Sequence, residues 1–230
     1  MKSRLGVNVD HIATLRNARG EGHPDPISYA RQAMNFGANS ITIHLREDRR
    51  HIRDQDLATF SKIKKIPINL EMAANNEILK IALKYKPNFV CIVPEKRNEI
   101  TTEGGINIKK NKKIISKVIS KLNSKKIRTS LFINPNTNDV FLSKGLNTKC
   151  VELHTGKFAL KVKNNKNYFA EFNKIKKCAA LAKKLGMEVH AGHGLDYKST
   201  KILKKIKSIE EFNIGHFIIG ESIMFGMKTV

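Results

Sequence analysis

Six short apolar runs in this chain end in an acid, a base or an imidazole. They are spread almost from one end of the chain to the other: GVNVDH, ITIHLR, PINLE, VCIVPEK, VELH and EVHAGH. Stretches with helical spacing lie between most of them. Because the carboxyl ends of parallel strands meet at one end of a sheet, this layout brings many reactive side chains together. It indicates an enzyme more than a binding module.

Three side chains in these runs are the best candidates for proton transfer: His44, Glu71 and His193. Burial on the inward face of a barrel raises the pKa of a carboxyl group, and histidine titrates near neutral pH. Both properties suit general acid and base catalysis. The sequence therefore favours a reaction made of proton transfers.

Two regions have the composition of phosphate sites. The glycines of AGHG and NIGHFIIGES allow a close approach of backbone N–H groups, as in the last two loops of many barrels. The loop HLREDRRHIRD offers the forked donors of arginine, although its acids also fit an exposed charged turn. The segment after the first strand, DHIATLRNARGEGHPDP, is expected to be a loop and offers two further arginines, Arg16 and Arg19. Two separate phosphate sites would imply two phosphorylated substrates and hence a condensation.

Two other kinds of chemistry remain open at this point. A metal could be held by His44, His190, His193 and a carboxylate, but no HExxH or other familiar zinc spacing is present. A Schiff base at Lys96 or Lys157 would require a buried amine, and neither lysine lies within a predicted strand. Acid and base catalysis without a metal is the preferred interpretation.

The elements that must position these residues alternate along the chain. Strands are predicted around 5–10, 40–46, 67–72, 88–94, 128–134, 150–155, 187–191 and 216–220. Helices are predicted near 26–37, 54–65, 75–86, 110–125, 136–145, 166–185 and 198–209. We therefore expect a single (β/α)8 barrel of the TIM type over residues 1–230, with an abbreviated C-terminal helix in ESIMFGMKTV.

Alternation within the strands supports a barrel with a polar interior. Thr42, His44 and Arg46 share one face of their strand, and the intervening residues are apolar. The first, third and sixth strands divide in the same way, with polar side chains toward their C-terminal ends. All eight histidines are predicted at strand ends or in loops, and none in a helix. Unpaired buried charge is costly, so four agreeing strands indicate a shared site.

Composition narrows the class of protein. The chain has 230 residues, 40% apolar content and a formal charge of +23. The charge comes from lysine-rich helical stretches and is compatible with anionic substrates, whereas nucleic-acid binding has no motif to support it. No apolar stretch reaches membrane-spanning length, and the N-terminus lacks a signal-peptide segment. Three separated cysteines predict free thiols in a reducing cytoplasm.

Longer motifs add a family resemblance. The runs GVNVDHIATLRNARG, ITIHLREDRRHI, NLEMA, VPEKRNEITTEGG, ELHTG, AGHGL and NIGHFIIG closely resemble the pyridoxine 5′-phosphate synthase family of vitamin B6 biosynthesis. The resemblance covers nearly the whole chain and departs from the family only in the lysine-rich helices and the short C-terminus. It implies a (β/α)8 barrel that condenses 1-deoxy-D-xylulose 5-phosphate with 3-amino-2-oxopropyl phosphate. The implied products are pyridoxine 5′-phosphate, phosphate and water.

The resemblance also implies roles for individual residues. His44 and Glu71 would be proton acceptors, and His193 a proton donor. The contacts to deoxyxylulose phosphate would be Asp10, His11, Arg46, His51 and Thr101. The contacts to the amino-ketone phosphate would be Asn8, Arg19, Gly194, Gly215 and His216.

The family uses no metal or organic cofactor and forms homo-octamers, and both properties become expectations here. The segment EKRNEITTEGG is expected to be a lid that excludes water from imine intermediates. Two alternatives stay open: a basic nucleic-acid-binding protein with vestigial enzymatic ancestry, and a metal-dependent barrel aldolase or hydrolase.

Overall fold

Eight parallel strands form a closed barrel in the computed structural model, which describes residues 3–95 and 104–230. Each strand pairs with the next, and the eighth pairs with the first through Arg4 and Glu211, Leu5 and Phe212, Gly6 and Asn213, and Val7 and Ile214. The prediction of a single (β/α)8 barrel is confirmed.

The strands are β1 Arg4–Asn8, β2 Ser40–His44, β3 Ile68–Met72, β4 Phe89–Ile92, β5 Arg128–Ile133, β6 Cys150–His154, β7 Glu188–Gly192 and β8 Glu211–Ile214. The helices within the described residues are α1 Asp10–Arg19, α2 Pro26–Asn35, α3 Asp54–Phe60, α4 Asn76–Tyr85, α5 Ile108–Ser124, α6 Thr137–Gly145, α7 Gly156–Lys163, α8 Phe169–Lys184, α9 Tyr197–Leu203 and α10 His216–Phe225. None of them is both long enough and apolar enough to cross a membrane.

Several helices begin where a short polar side chain accepts hydrogen bonds from their first N–H groups. Asp25 accepts from Ile27 and Ser28 at the start of α2, where Pro26 occupies the first helical position. Asn75 caps α4 by accepting from the backbone N–H of Ile78. These caps end the loops that leave the strands and so fix where each helix packs on the barrel.

The apolar core lies between the barrel and its helices, as the alternation predicted. Ile41, Ile43 and Leu45 are fully buried on the outer face. Inside the barrel, Cys91, Val93 and Phe132 form a small apolar cluster. The interior is otherwise filled largely by polar and ionisable side chains, in contrast to the branched aliphatic layers of most barrels.

Paired charges close the N-terminal end of the barrel. Glu188, the first residue of β7, bonds to both Arg4 and Arg128, which begin β1 and β5. Arg4 also donates from Nε to Oε2 of Glu211 at 2.8 Å. Breaking one member of such a partly buried group would leave charge uncompensated. The closed end is therefore structural, and reactive groups are left for the opposite end.

The position of the eighth strand was predicted wrongly. Residues 216–220 begin helix α10, and the strand is the preceding segment Glu211–Ile214. The strand escaped notice because its first inward residue is an acid, which its contact with Arg4 makes tolerable. The helix contains ten residues, as many as α2 or α4, so the last β/α unit is complete.

Two other expectations were also wrong, and one helix was not predicted. The segment after β1 was expected to be a loop, but it forms helix α1, which is followed by Gly20 in the left-handed conformation with φ +69°. The helix predicted over 166–185 is confirmed as α8, whereas α7 before it was not predicted. His11 and His216 consequently lie in the first turns of helices α1 and α10, although no histidine was expected in a helix.

Candidate active site

The C-terminal end of the barrel collects most of the residues that the sequence singled out. Asn8 and His44 are the last residues of β1 and β2, Glu71 lies in β3, and His193 follows β7 directly. Parallel strands place all these ends together. The predicted convergence of reactive side chains is therefore present.

Asp10 joins the first two strands at this end. Its Oδ2 accepts from Nδ2 of Asn8 at 2.8 Å, and its backbone N–H donates to Oδ1 of Asn8 at 2.9 Å. Its Oδ1 accepts from the backbone N–H of His44 at 2.8 Å. Nδ1 of His51 lies 3.8 Å from the same oxygen. Asp10 thus holds His44 in place through the backbone.

The imidazole of His44 lies between two carboxyl groups. Its Nδ1 is 4.0 Å from Oε2 of Glu71, and its Nε2 is 3.4 Å from Oε2 of Glu95. Within the described residues, that Nε2 atom and Oε2 of Glu95 have no well-aligned hydrogen-bond partner. Burial opposes ionisation of Glu95, but His44, the N–H of Glu47 and Arg46 together lower its pKa. His44 is well placed to exchange protons with a substrate.

Glu71 is a carboxyl group with a strongly raised pKa. Burial is the main cause, and the neighbouring carboxyl groups of Glu152 and Asp10 add to it. Its side chain nevertheless remains 18% exposed, so a small molecule at the barrel mouth could touch it. This carboxyl group therefore holds its proton more tightly than an ordinary glutamate, which suits a role in proton transfer.

Glu152 lies at the centre of the barrel and shares this behaviour. Its pKa is raised to about 7, mainly by burial and also by Glu211, although His190, Asn213 and Cys91 act in the opposite direction. Its Oε2 accepts from Nδ2 of Asn213 at 2.7 Å. Burial lowers the pKa of His190, but Cys150, Glu188 and Glu211 raise it to about 10, so His190 is cationic at neutral pH. That cation partly offsets the charge of Glu152.

Two histidine pairs border the rest of the site. The rings of His154 and His193 lie 4.9 Å apart, and those of His11 and His216 lie 5.0 Å apart. Burial, together with His193 and Lys157, lowers the pKa of His154 to about 4. Burial and then His216 lower the pKa of His11. His154 and His11 are therefore suited to hydrogen bonding in the neutral form.

Glycines keep the last two loops close to the site. A Cβ atom on Gly215, which precedes α10, would lie 2.9 Å from Cβ of Asn8. Gly194 has φ +75°, a conformation that favours glycine. The first N–H groups of α10 begin beside this point and could receive an anion.

The arginines of the loop after β2 are largely engaged with acids. Arg46 is buried, with its Nε 3.2 Å from Oδ1 of Asp48 and its Nη2 3.8 Å from Oε1 of Glu95. Arg50 also bonds to Asp48. Burial works against ionisation of Asp48, but these arginines hold its pKa well below the usual range. The loop is therefore a charged turn, which was one of its two predicted roles, and it also borders the site through Arg46.

One predicted site residue, Arg19, lies apart from this group. Arg19 is in the last turn of α1, with a side chain that is 78% exposed and 3.7 Å from Glu21. Thr101 and Lys96, with most of the proposed lid, lie outside the described residues. Lys157 lies in helix α7, as expected for a residue outside the strands.

The structure brings together metal-ligand sets that differ from the predicted one. Ligand atoms of Asp10, His44 and His51 lie within 4.8 Å of one another. His190 does not join them, because it contacts Glu188 at 3.0 Å and Glu211 at 3.5 Å toward the closed end. In the first set, Asp10 already accepts the N–H of His44. A second set among the described residues is Cys150, Glu188 and His190, toward the closed end of the barrel.

Sequence reasoning left two acids out of the predicted site: Glu95 and Glu152. Glu95 ends the apolar run of the fourth strand, in the same way as the residues that were chosen. Glu152 shares the inward face of its strand with His154. Both signals were readable, but nothing in the sequence said which inward acids would contact His44 or Glu71.

The raised pKa of Glu152 predicts a pH-dependent cost to stability. The folded protein binds the proton of Glu152 more tightly than the unfolded chain does. The stability that this proton contributes is therefore fully present below about pH 4.5 and is lost as pH rises through about 7. Glu152→Gln stays neutral and can still accept from Asn213. Relative to the wild type, its free energy of unfolding in urea should rise by about 1–3 kcal/mol between pH 5 and pH 7.5.

Glu188→Gln is the matched control for that prediction. Burial raises the pKa of Glu188, but His190, Arg128 and Arg4 outweigh it and lower the pKa, so this group is ionised in both states above pH 5. Its difference from the wild type should be flat over the same range. An equally flat difference for Glu152→Gln would mean that Glu152 is ionised throughout.

Comparison with known proteins gives consistent relatives. The chain is 63% identical over 225 residues to the pyridoxine 5′-phosphate synthase of Pelagibacter ubique, covering 98% of this chain and 94% of that protein. The synthase of Zymomonas mobilis is 50% identical over 98% of this chain and 88% of its own length. That of Rhodospirillum rubrum is 47% identical over 97% and 90%.

Solved structures support the fold alone. The 3-keto-L-gulonate-6-phosphate decarboxylase of Vibrio cholerae aligns with a TM-score of 0.67 at 11% identity, over 100% of this chain and 94% of that one. The tryptophan synthase A-subunit of Pyrococcus furiosus aligns with a TM-score of 0.62 at 14% identity, over 99% and 94%. The family described as "Pyridoxal phosphate biosynthesis protein PdxJ" matches residues 5–230, and with the relatives above it shows that this chain belongs to that family.

Proposed function

We propose that this protein condenses 1-deoxy-D-xylulose 5-phosphate with 3-amino-2-oxopropyl phosphate to give pyridoxine 5′-phosphate, phosphate and water. Membership of the family supports the reaction. The observation that carries the proposal is the pairing of His44 with Glu71: Nδ1 of His44 lies 4.0 Å from Oε2 of Glu71, and burial raises the pKa of that carboxyl group.

The reaction needs proton transfers more than any other kind of help. The substrate amine attacks the ketone of the sugar phosphate, and loss of water gives an imine. Loss of phosphate, closure of the ring and loss of a second water molecule follow. In this proposal His44 and Glu71 accept protons and His193 donates one. The three groups lie on different strands or loops around one barrel mouth, so each can serve a different atom of the substrate.

Two anchors would hold the two phosphorylated substrates. Asp10, His11, Arg46, His51 and Thr101 are assigned to the sugar phosphate; Asn8, Arg19, Gly194, Gly215 and His216 are assigned to the amino-ketone phosphate. The N-terminus of α10, with Gly215 beside Asn8, supports the second anchor. The buried guanidinium of Arg46 supports the first, although a phosphate there would share it with Asp48.

We further propose that the protein acts in the cytoplasm as a homo-octamer, without nucleic acid, membrane, metal or organic cofactor as partners. Self-association is supported by exposed apolar side chains at the end of α10, where Ile223, Met224 and Phe225 are 60–76% exposed. Three buried free cysteines are consistent with a reducing compartment.

Product formation by chelator-treated protein tests the reaction and the metal alternative together. Purified protein is treated exhaustively with a chelator and incubated with both substrates, and the product is detected by mass. We expect pyridoxine 5′-phosphate in an amount equal to that from untreated protein. Activity that disappears and returns with one divalent ion would instead favour a metal at Asp10, His44 and His51. No product from either preparation would refute the reaction.

Glu71→Gln is expected to lower kcat about 10²- to 10⁴-fold while leaving KM for both substrates nearly unchanged. The amide has almost the same shape as the carboxyl group but cannot accept a proton near neutral pH. Steady-state kinetics with each substrate varied in turn gives both constants. Glu77→Gln, at a 67% exposed side chain, is the control for the chemical change. A Glu71→Gln enzyme with near-normal kcat would remove Glu71 from catalysis.

A further inference from the structure

The hydroxyl group of Thr155 contacts the backbone carbonyl groups of two consecutive residues, Gly192 and His193. Thr155 is fully buried directly after β6. Its Oγ1 lies 2.7 Å from the carbonyl oxygen of Gly192 and 2.7 Å from that of His193. Its backbone N–H donates to the same Gly192 oxygen at 2.9 Å. Two adjacent carbonyl groups of the β7 loop are therefore fixed by one residue.

This use of a threonine is unusual for its position. Thr155 is the N-cap of α7, where a threonine oxygen ordinarily accepts a hydrogen bond from its own helix. Here the side chain makes no capping bond and reaches across to the neighbouring strand. A residue that departs from the local rule in favour of a tertiary contact is often part of a functional site.

The residue held in this way has a backbone conformation that needs support. His193 has φ +81°, a region that side-chain-bearing residues rarely adopt. Such conformations are strained and persist when several surrounding contacts hold them. The contact from Thr155 to the carbonyl group of His193 is one such restraint. In this conformation the imidazole of His193 lies beside His154 at the end of β6 and Gly156 at the start of α7.

Gly156 and His154 complete a seat for that imidazole. A Cβ atom on Gly156 would lie 2.9 Å from Cδ2 of His193 and 2.9 Å from Nε2 of His154, which is closer than packed atoms tolerate. The two imidazole rings lie 4.9 Å apart at 41°. The absent side chain of Gly156 is thus what lets both rings fit beside the start of α7.

We propose that Thr155 is a positioning residue for His193, and that Gly156 provides the space in which the His193 ring is held. Thr155 fixes the backbone of His193, and Gly156 fixes how near its ring approaches α7. The inference rests on the proposed role of His193 as proton donor. Because placement of a donor by 1 Å can change rate by about 10²-fold, this seat should control kcat more than substrate affinity.

The test compares two replacements at Thr155 with one matched control. Thr155→Val keeps the shape but removes the hydroxyl, and should lower kcat about 10- to 100-fold with KM within about threefold. Thr155→Ser restores the hydroxyl and should recover most of the rate. Thr148→Val removes another buried hydroxyl, which donates to the carbonyl group of Ser143 before β6 at the opposite end of the barrel. It should lower thermal stability without lowering kcat.

Gly156→Ala is an independent variant that presses on the ring and leaves the Thr155 hydrogen bonds in place. It should also lower kcat with little change in KM, and it decides the matter if Thr155→Val does not fold. The His193 imidazole NMR resonance, identified by its loss in His193→Asn, should shift in Thr155→Val and Gly156→Ala but not in Thr148→Val. This readout needs no activity, so it separates the seat from the proposed reaction.

Near-normal kcat in a folded Thr155→Val or Gly156→Ala enzyme would overturn the inference, and so would an unmoved His193 resonance. Failure of Thr155→Ser to recover the rate, with the protein folded, would also count against it. An inactive wild type would instead refute the proposed function, while the NMR comparison would still decide whether Thr155 and Gly156 position His193.

Discussion

The structure depends on how the barrel accommodates two carboxyl groups that burial makes reluctant to ionise. Glu71 and Glu152 both point into the interior, and burial raises the pKa of each. Repulsion from Glu152 raises the pKa of Glu71 further, and repulsion from Glu211 raises that of Glu152. A bond from Asn213 stabilises one oxygen of Glu152, and the cation of His190 lies on the adjacent strand in register with it. For Glu71, burial and the carboxyl groups of Glu152 and Asp10 all raise the pKa. Nδ1 of His44 lies 4.0 Å from its Oε2.

This imbalance explains the division of the barrel into two ends. At the closed end, the acids Glu188 and Glu211 are matched by Arg4 and Arg128 and contribute to the fold. At the open end, charge is left incompletely matched, and the groups there can change protonation. Proteins commonly sacrifice some stability where a site must hold reactive groups. The same strands therefore serve structure at their first residues and chemistry at their last.

The sequence predicted the barrel and the inward face of its strands because alternation is a local signal. The fully buried Ile41 and Ile43, with polar Thr42 between them, follow directly from that pattern. It could not place β8, whose leading Glu211 looks unfavourable until its contact with Arg4, 207 residues away in sequence, is known. It did not predict α1, because the polar and charged residues of Asp10–Arg19 are typical of an active-site loop as well as of a short helix.

The candidate site was predictable in composition but not in contacts. Inward parity marked His44, Glu71 and Glu152 as neighbours of one cavity. The approach of Glu95 to His44, and of the Thr155 hydroxyl to the loop after β7, depends on how separate loops fold back. No spacing along the chain encodes those distances.

Glu152, in the barrel interior, keeps its proton to near-neutral pH. A 13C NMR titration of the protein labelled at its glutamate carboxyl carbons tests this most directly. We expect one interior resonance to titrate near pH 7, to vanish in Glu152→Gln and to shift in Glu71→Gln, because the two carboxyl groups interact. A spectrum in which every glutamate has lost its proton below about pH 5 would contradict the account.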